Sequence, residues 1–275
     1  MLVDYHMHLR GPLEAGSEPL DHRLEVIERY VECARERGVD EVAFTEHVYY
    51  FKQTRELWTI PYQAERAVHD LDVYCDVVIE AKRRGLPVKL ALEVDHVGGL
   101  QQQLAELLEP YPFDLLLGSV HFVDDLAVDF QPGAWEELPV DDVWGRYVRA
   151  LEELAASQAI DILAHPDLAK IYGKRPDPES LQELHSSIAV AAARAGIAIE
   201  ISSAGLRKPV GEIYPDHELL AECFRHGVPI TTASDAHQPE CVGEDFDRVV
   251  AYARDVGYTE VAVFDRRERC LEPLG

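Results

Sequence analysis

The chain has 275 residues, 47% of them hydrophobic, and a formal net charge of −25. That length and apolar content suffice for one barrel or two small domains, and the acidity argues against nucleic acid or an anionic membrane as partner. The same charge repels a phosphorylated substrate, so any phosphate site needs local positive charge, from metal ions or from arginine.

In chain order, residues 2–9 read as a strand and 10–21 as a polar loop with Gly and Pro. Residues 24–37 carry apolar positions at helical spacing, with Gly38 placed to end the helix. A strand at 41–47 leads into a loop rich in Tyr and Phe at 48–61. A helix is predicted over 63–84, closed by Gly85 and Pro87, then a strand over 88–95. The alternation continues with a helix at 101–108, a strand at 114–122, a helix at 143–157 and a strand at 160–165. A helix at 179–195, stopped by Gly196, precedes a strand at 197–202. A helix at 217–226, stopped by Gly227, precedes a strand at 228–233. A helix at 245–255, followed by Gly257, precedes a last strand at 260–264. Seven or eight strands alternating with helices imply an α/β fold with parallel strands. The alternation leaves open both a closed β/α barrel and an open doubly wound sheet.

No linker or low-complexity tract interrupts the pattern, so a single domain over 1–275 is expected. Cys33, Cys75, Cys223, Cys241 and Cys270 are widely spaced and form no C-x-x-C, against a disulfide framework or a thiolate zinc site. No apolar run approaches the roughly 18 residues that cross a bilayer. The N-terminus enters a strand at once, without a signal sequence. A cytoplasmic protein is expected.

The polar residues fall in a pattern. His6 and His8, two apart on a strand, face the same side. The second strand ends in Glu46-His47, and the third carries Glu93, with Asp95 and His96 after it. The fourth ends in Ser119-Val120-His121, the fifth in Ala164-His165-Pro166-Asp167, and the seventh in Ser234-Asp235-Ala236-His237. Six of the twelve histidines, His6, His8, His47, His121, His165 and His237, thus sit in the first strand or at a strand's end. A single strand-end histidine is ordinarily a half-exposed side chain. Collected at the carboxyl ends, where α/β folds place their sites, they exceed the needs of one ion. Two or three divalent ions are expected, and mixed imidazole and carboxylate ligands suit zinc, iron or manganese. Arg207 and Lys208 follow the sixth strand and are candidates for phosphate binding, with Gly205 supplying a turn. Asp167, Lys170 and Tyr214 are candidates for the pocket wall. His22, His69, His185, His217 and His226 read as surface or core residues.

His6-Met7-His8, Glu46-His47, Glu93, His121, His165 and Ser234-Asp235-Ala236-His237 resemble, in order, the metal motifs of the PHP (polymerase and histidinol phosphatase) family. The resemblance runs from residue 6 to residue 237 and implies a distorted (β/α)7 barrel with up to three ions at the carboxyl end. Gly118–Phe122, His165–Lys170 and 205–215 are most similar to the stand-alone histidinol-phosphate phosphatase branch. The resemblance implies that His6, His8 and Asp235 hold one ion and that Glu93 bridges it to a second, completed by His121 and His165. His47 and His237 hold a third. Where the family has a further histidine for that ion, this chain has Glu14, whose carboxylate can serve. The implied activity is hydrolysis of L-histidinol phosphate by a hydroxide between the ions near Glu93 and Asp235. Open alternatives are another phosphate ester, nucleotide or phosphodiester, and a metal-binding module without turnover. The expected partner is a small phosphate ester, and the sequence is silent on oligomeric state.

Overall fold

A computed structural model describes residues 1–9, 22–130, 133 and 137–275. The elements are β1 (Val3–Asp4), α1 (Leu24–Glu36), β2 (Glu41–Phe44), α2 (Pro61–Arg66), α3 (Leu71–Arg83), β3 (Val88–Asp95), α4 (Gln101–Leu108), β4 (Leu115–Ser119), β5 (Phe122–Val123) and β6 (Leu126–Ala127). They continue with α5 (Val140–Ala156), β7 (Ile162–Leu163), α6 (Pro178–Ala195), β8 (Ala198–Ser202), α7 (His217–Arg225), β9 (Ile230–Ala233), α8 (Phe246–Val256), β10 (Glu260–Asp265) and β11 (Glu268–Pro273).

Seven strands form one sheet in the order β1-β2-β3-β4-β7-β8-β9, and every neighbouring pair is parallel. The two edges then meet. Tyr5 N donates to the Thr232 carbonyl at 3.1 Å, His8 N donates to the Ala236 carbonyl at 2.8 Å, and Met7 bridges Ala236 in parallel. The sheet therefore closes into a barrel, as the resemblance implies, which decides between the two arrangements the alternation left open.

Strand chemistry explains the closure. The β4 sequence Leu115-Leu116-Leu117-Gly118-Ser119 is buried throughout, as a parallel strand covered on both faces must be. Gly118 is required there because a Cβ would stand 2.4 Å from Ile160 and 2.9 Å from Leu154. The outer helices bury one stripe each. On α5 it is Val143, Trp144, Tyr147, Val148, Leu151, Leu154 and Ala155, spaced by three and four residues. Asp177 caps α6 through the Glu179 and Ser180 amides, and Gly196 ends it in the left-handed region.

Three elements differ from the sequence expectation. The predicted strand at 260–264 is no barrel strand: β10 pairs antiparallel with β11 from Glu260↔Pro273 to Asp265↔Glu268. Its turn places Arg266 and Arg267 at φ 49° and 65°, the two-residue hairpin geometry that Asn-Gly usually announces. Arg267 reaches Asp161 at 2.9 Å, beside the amino end of β7, so the hairpin covers the end of the barrel away from the strand-end histidines. The predicted helix at 63–84 is broken between α2 and α3. The Val68 and His69 amides turn to the Tyr50 carbonyl at 3.1 and 2.9 Å, and Asp70 caps the next helix. His69 thus lies in the break. A short hairpin, β5–β6, follows β4. Among the described residues no helix is long and apolar enough to cross a membrane.

Candidate metal centre

The carboxyl ends of β1–β4 and β7–β9 deliver the expected side chains to one point. Glu93, within β3, stands at the centre. Its Oε2 is 3.2 Å from His6 Nε2, 3.4 Å from His8 Nε2 and 3.0 Å from His47 Nδ1. Its Oε1 is 3.5 Å from His121 Nε2 and 3.3 Å from His165 Nε2. Asp235 Oδ1 lies 3.8 Å from His6 Nε2, 3.6 Å from His8 Nε2 and 3.5 Å from His237 Nδ1. Asp95 faces His121 Nδ1 at 2.9 Å and His47 Nδ1 at 3.3 Å. His165 and Asp235 adopt positive φ, 25° and 51°; such strain persists at sites the surroundings over-determine.

These atoms are arranged for cations. His6 Nε2, His47 Nδ1, Glu93 Oε2 and Asp95 Oδ2 are buried without a hydrogen-bond partner, while His8 turns Nδ1 to Glu46 at 3.5 Å and Nε2 to the centre. Two ligands on one tetrahedral ion, at bonds of about 2.0–2.1 Å, stand roughly 3.3–3.4 Å apart, near the spacings around Glu93. Three groups bring their donor atoms within 4.8 Å of one another: His6–His8–Glu93, His8–Asp235–His237 and His47–Glu93–His121. Each can hold a divalent metal ion. In this arrangement His47 joins Glu93 and His121, and His237 joins His8 and Asp235. Glu14 lies outside the described residues.

The electrostatics carry the same signature. Burial pushes the Glu93 carboxyl up, but the imidazoles of His47, His6 and His121 outweigh it and hold the group well below the carboxylate range. For Asp235 burial is likewise outweighed, here by His237 and His6. Burial disfavours the charged form of His6 and His47. Glu200, Glu93 and Asp235 nonetheless raise His6 well above an ordinary imidazole, and Glu93 and Asp95 do so for His47. Protons on these rings offset the carboxylates wherever no cation does.

A buried outer layer fixes the candidate ligands. Glu200, from β8, takes His6 Nδ1 at 2.7 Å and accepts the His165 amide at 3.1 Å. With the Nδ1 proton spent on Glu200, His6 turns an Nε2 lone pair to the centre. Asp4 accepts from Ser234 N at 2.8 Å, Ser234 Oγ at 2.6 Å and Gly243 N at 2.9 Å, anchoring the loop that carries Asp235 and His237. Neither Glu200 nor Asp4 stands out in the sequence as a site residue. The available signal is an acid inside an otherwise apolar strand, as in Ala198-Ile199-Glu200-Ile201.

Above the cluster opens a cleft of about 240 Å³. Tyr49, Tyr50, Tyr62, Phe122, Asp129 and Phe130 line it, with Tyr62 packed on Phe122 and Phe130. The aromatic loop thus forms a wall, with the Tyr49 ring stacked on His47 at 4.7 Å. Lys208 also lines the cleft. Arg207 does not: it reaches the Ser234 carbonyl, Ser203 Oγ at 3.4 Å and Glu244 at 3.4 Å. Lys170 is fully buried on Asp167 and the Ile213 carbonyl, both at 2.8 Å, and Tyr214 is buried beside it. These three support the loop instead of lining the cleft. Gly205 permits a close approach, since a Cβ there would stand 2.0 Å from the Glu212 carbonyl.

The family model for the PHP domain matches residues 20–204. The chain belongs to the PHP family. Among curated PHP relatives, the probable histidinol-phosphatase of Deinococcus radiodurans is 29% identical over 274 residues, covering 99% of both chains. The histidinol-phosphatase of Bacillus subtilis is 26% identical over 270 residues, 88% of this chain and 93% of its own. The crystal structure of histidinol phosphate phosphatase from Lactococcus lactis, complexed with zinc, L-histidinol and phosphate, superposes with a TM-score of 0.76 at 21% identity and covers 98% of both chains. At that identity the likeness shows the shared fold.

Proposed function

We propose that this chain is a metal-dependent phosphomonoesterase that hydrolyses L-histidinol phosphate to L-histidinol and phosphate, acting as a single PHP unit. The observation that carries the reading is the convergence of Glu93, Asp95, Asp235 and six imidazoles beneath a cleft that also presents Lys208. The names of the curated relatives and the zinc, L-histidinol and phosphate of the Lactococcus structure support the substrate and the metal class. Two or three ions of zinc, iron or manganese are held by His6, His8, His47, Glu93, His121, His165, Asp235 and His237, with Glu14 as the further ligand. Bound divalent ions supply an acidified water and neutralise phosphoryl oxygens. The chain's own part is to place them: Glu93 joins the two halves of the cluster, and Glu200 and Asp95 fix the imidazole tautomers. Lys208 meets the phosphate from the cleft wall, and Arg207 braces the Ser234 carbonyl next to Asp235. The aromatic wall excludes water from the reacting group.

The test is phosphate release from L-histidinol phosphate by metal-loaded protein, with and without chelator, alongside elemental analysis. Metal-dependent release on this substrate supports the reading. Release only from nucleotides or phosphodiesters replaces the substrate, and release from no ester leaves a metal-binding module.

A further inference from the structure

The carboxylates around the cleft divide into two kinds. Glu93, Asp95 and Asp235 each face imidazoles within 4 Å. Asp129 lines the same cleft, yet among the described residues no side chain pairs with its carboxylate, and it belongs to none of the groups able to hold a metal. Its backbone is fixed, because Tyr172 Oη donates to the Asp129 carbonyl at 2.7 Å. It sits just past the β5–β6 hairpin, on the wall where Phe122 and Phe130 pack on Tyr62 with ring centroids 5.8 and 5.6 Å apart. Its charge acts on His121 from beyond ion-pair distance, and a half-buried carboxylate that no described side chain hydrogen-bonds is open to a donor from a ligand. A carboxylate beside aromatic faces is a receptor for an organic cation, which both attract.

We propose that Asp129 is the specificity residue that binds a cationic group on the alcohol part of the substrate, so that the cleft selects phosphate monoesters of amino alcohols over neutral esters. The inference rests on the phosphomonoesterase reading above. With the phosphate at the cluster and Lys208, the alcohol portion extends along the 122–130 wall, where its ammonium meets Asp129 and a flat ring meets Phe122 and Tyr62. The acidity that hinders phosphate approach thereby favours this half of the substrate.

The test compares metal-loaded wild type with Asp129→Asn on L-histidinol phosphate, ethanolamine phosphate and p-nitrophenyl phosphate. Metal content is checked in both proteins. The expected result is that the kcat/KM ratio of L-histidinol phosphate to p-nitrophenyl phosphate falls about 10- to 100-fold in the variant, chiefly through KM, and that Asp129→Glu recovers part of it. An unchanged ratio overturns the proposal, as does an equal loss on both esters. Should wild type fail on L-histidinol phosphate while Asp129→Asn still lowers the ratio for ethanolamine phosphate, the substrate named above is wrong and cation recognition stands.

Discussion

Replacing Glu200 by glutamine isolates what the outer layer contributes. Glu200 accepts from two donors at once, His6 Nδ1 at 2.7 Å and the His165 amide at 3.1 Å, and its side chain is fully buried. A glutamine of the same shape offers one oxygen and one NH₂, so it satisfies one donor and turns N–H groups on the other. If the oxygen stays with the His165 amide, His6 must accept at Nδ1 and carry its proton on Nε2, aimed at Glu93 3.2 Å away. If the oxygen turns to His6, the buried amide of a metal-proposed ligand loses its acceptor. Loss of such an outer partner weakens metal affinity about 10- to 100-fold, or about 1.4–2.8 kcal/mol. The assay is metal content per chain after equilibration in graded metal buffers, with turnover then measured at saturating metal. The expected result is a binding curve shifted to higher free metal, with most activity regained at saturation. An unchanged binding curve would refute the reasoning.

Lys208→Ala is expected to raise KM for phosphate esters about tenfold, the loss of one charge-assisted contact. Arg207→Ala is expected to act mainly on stability and the position of the 234–244 loop, read as a lowered Tm; the reverse pattern would exchange the two roles. Gly205→Ala puts a Cβ 2.0 Å from the Glu212 carbonyl, so a loss of about 1–3 kcal/mol in chemical denaturation is expected. Chelation gives a pH-dependent result. In metal-free protein His6 and His47 are raised well above 6.5, so their pairing with carboxylates stabilises fully below pH 6.5 and is lost as pH rises through the raised values. Metal binding must displace those protons, so affinity falls as pH falls. Chelator should therefore lower Tm more at pH 8 than at pH 6, and equal shifts at both would contradict the assignment.

The metal-type residues were legible because β/α alternation puts strand ends in one place, and residues two apart on a strand share a side. Closure was legible only through the family resemblance and not in the alternation, since it depends on backbone pairing between residues 5–8 and 232–236, far apart in sequence. The helix break at 67–70 carries neither Gly nor Pro, and only the Asp70 cap hints at it, so bonds to Tyr50 override a continuous local pattern. The hairpin at 122–127 is too short for periodicity, which hid Asp129 as a cleft residue. Arg207 and Lys208 both read as phosphate candidates, Arg207 ahead of Lys208. The 3₁₀ turn at Ser203–Arg207 sends them to different places.

The joint between β1 and β9 is sparing in backbone pairing, with β1 only two residues long. Much of what spans it is polar: Asp4 gripping Ser234 and Gly243, and His6 and His8 facing Asp235. During synthesis the segment at residues 3–8 has no second neighbour until residues 230–237 have been made. Any nascent chain stopped before Asp235 keeps an open edge of unpaired strand and lacks two members of the His8–Asp235–His237 group. A cation at that group would therefore bind only once the ring has been completed, whereas the His6–His8–Glu93 and His47–Glu93–His121 groups are complete by residue 121.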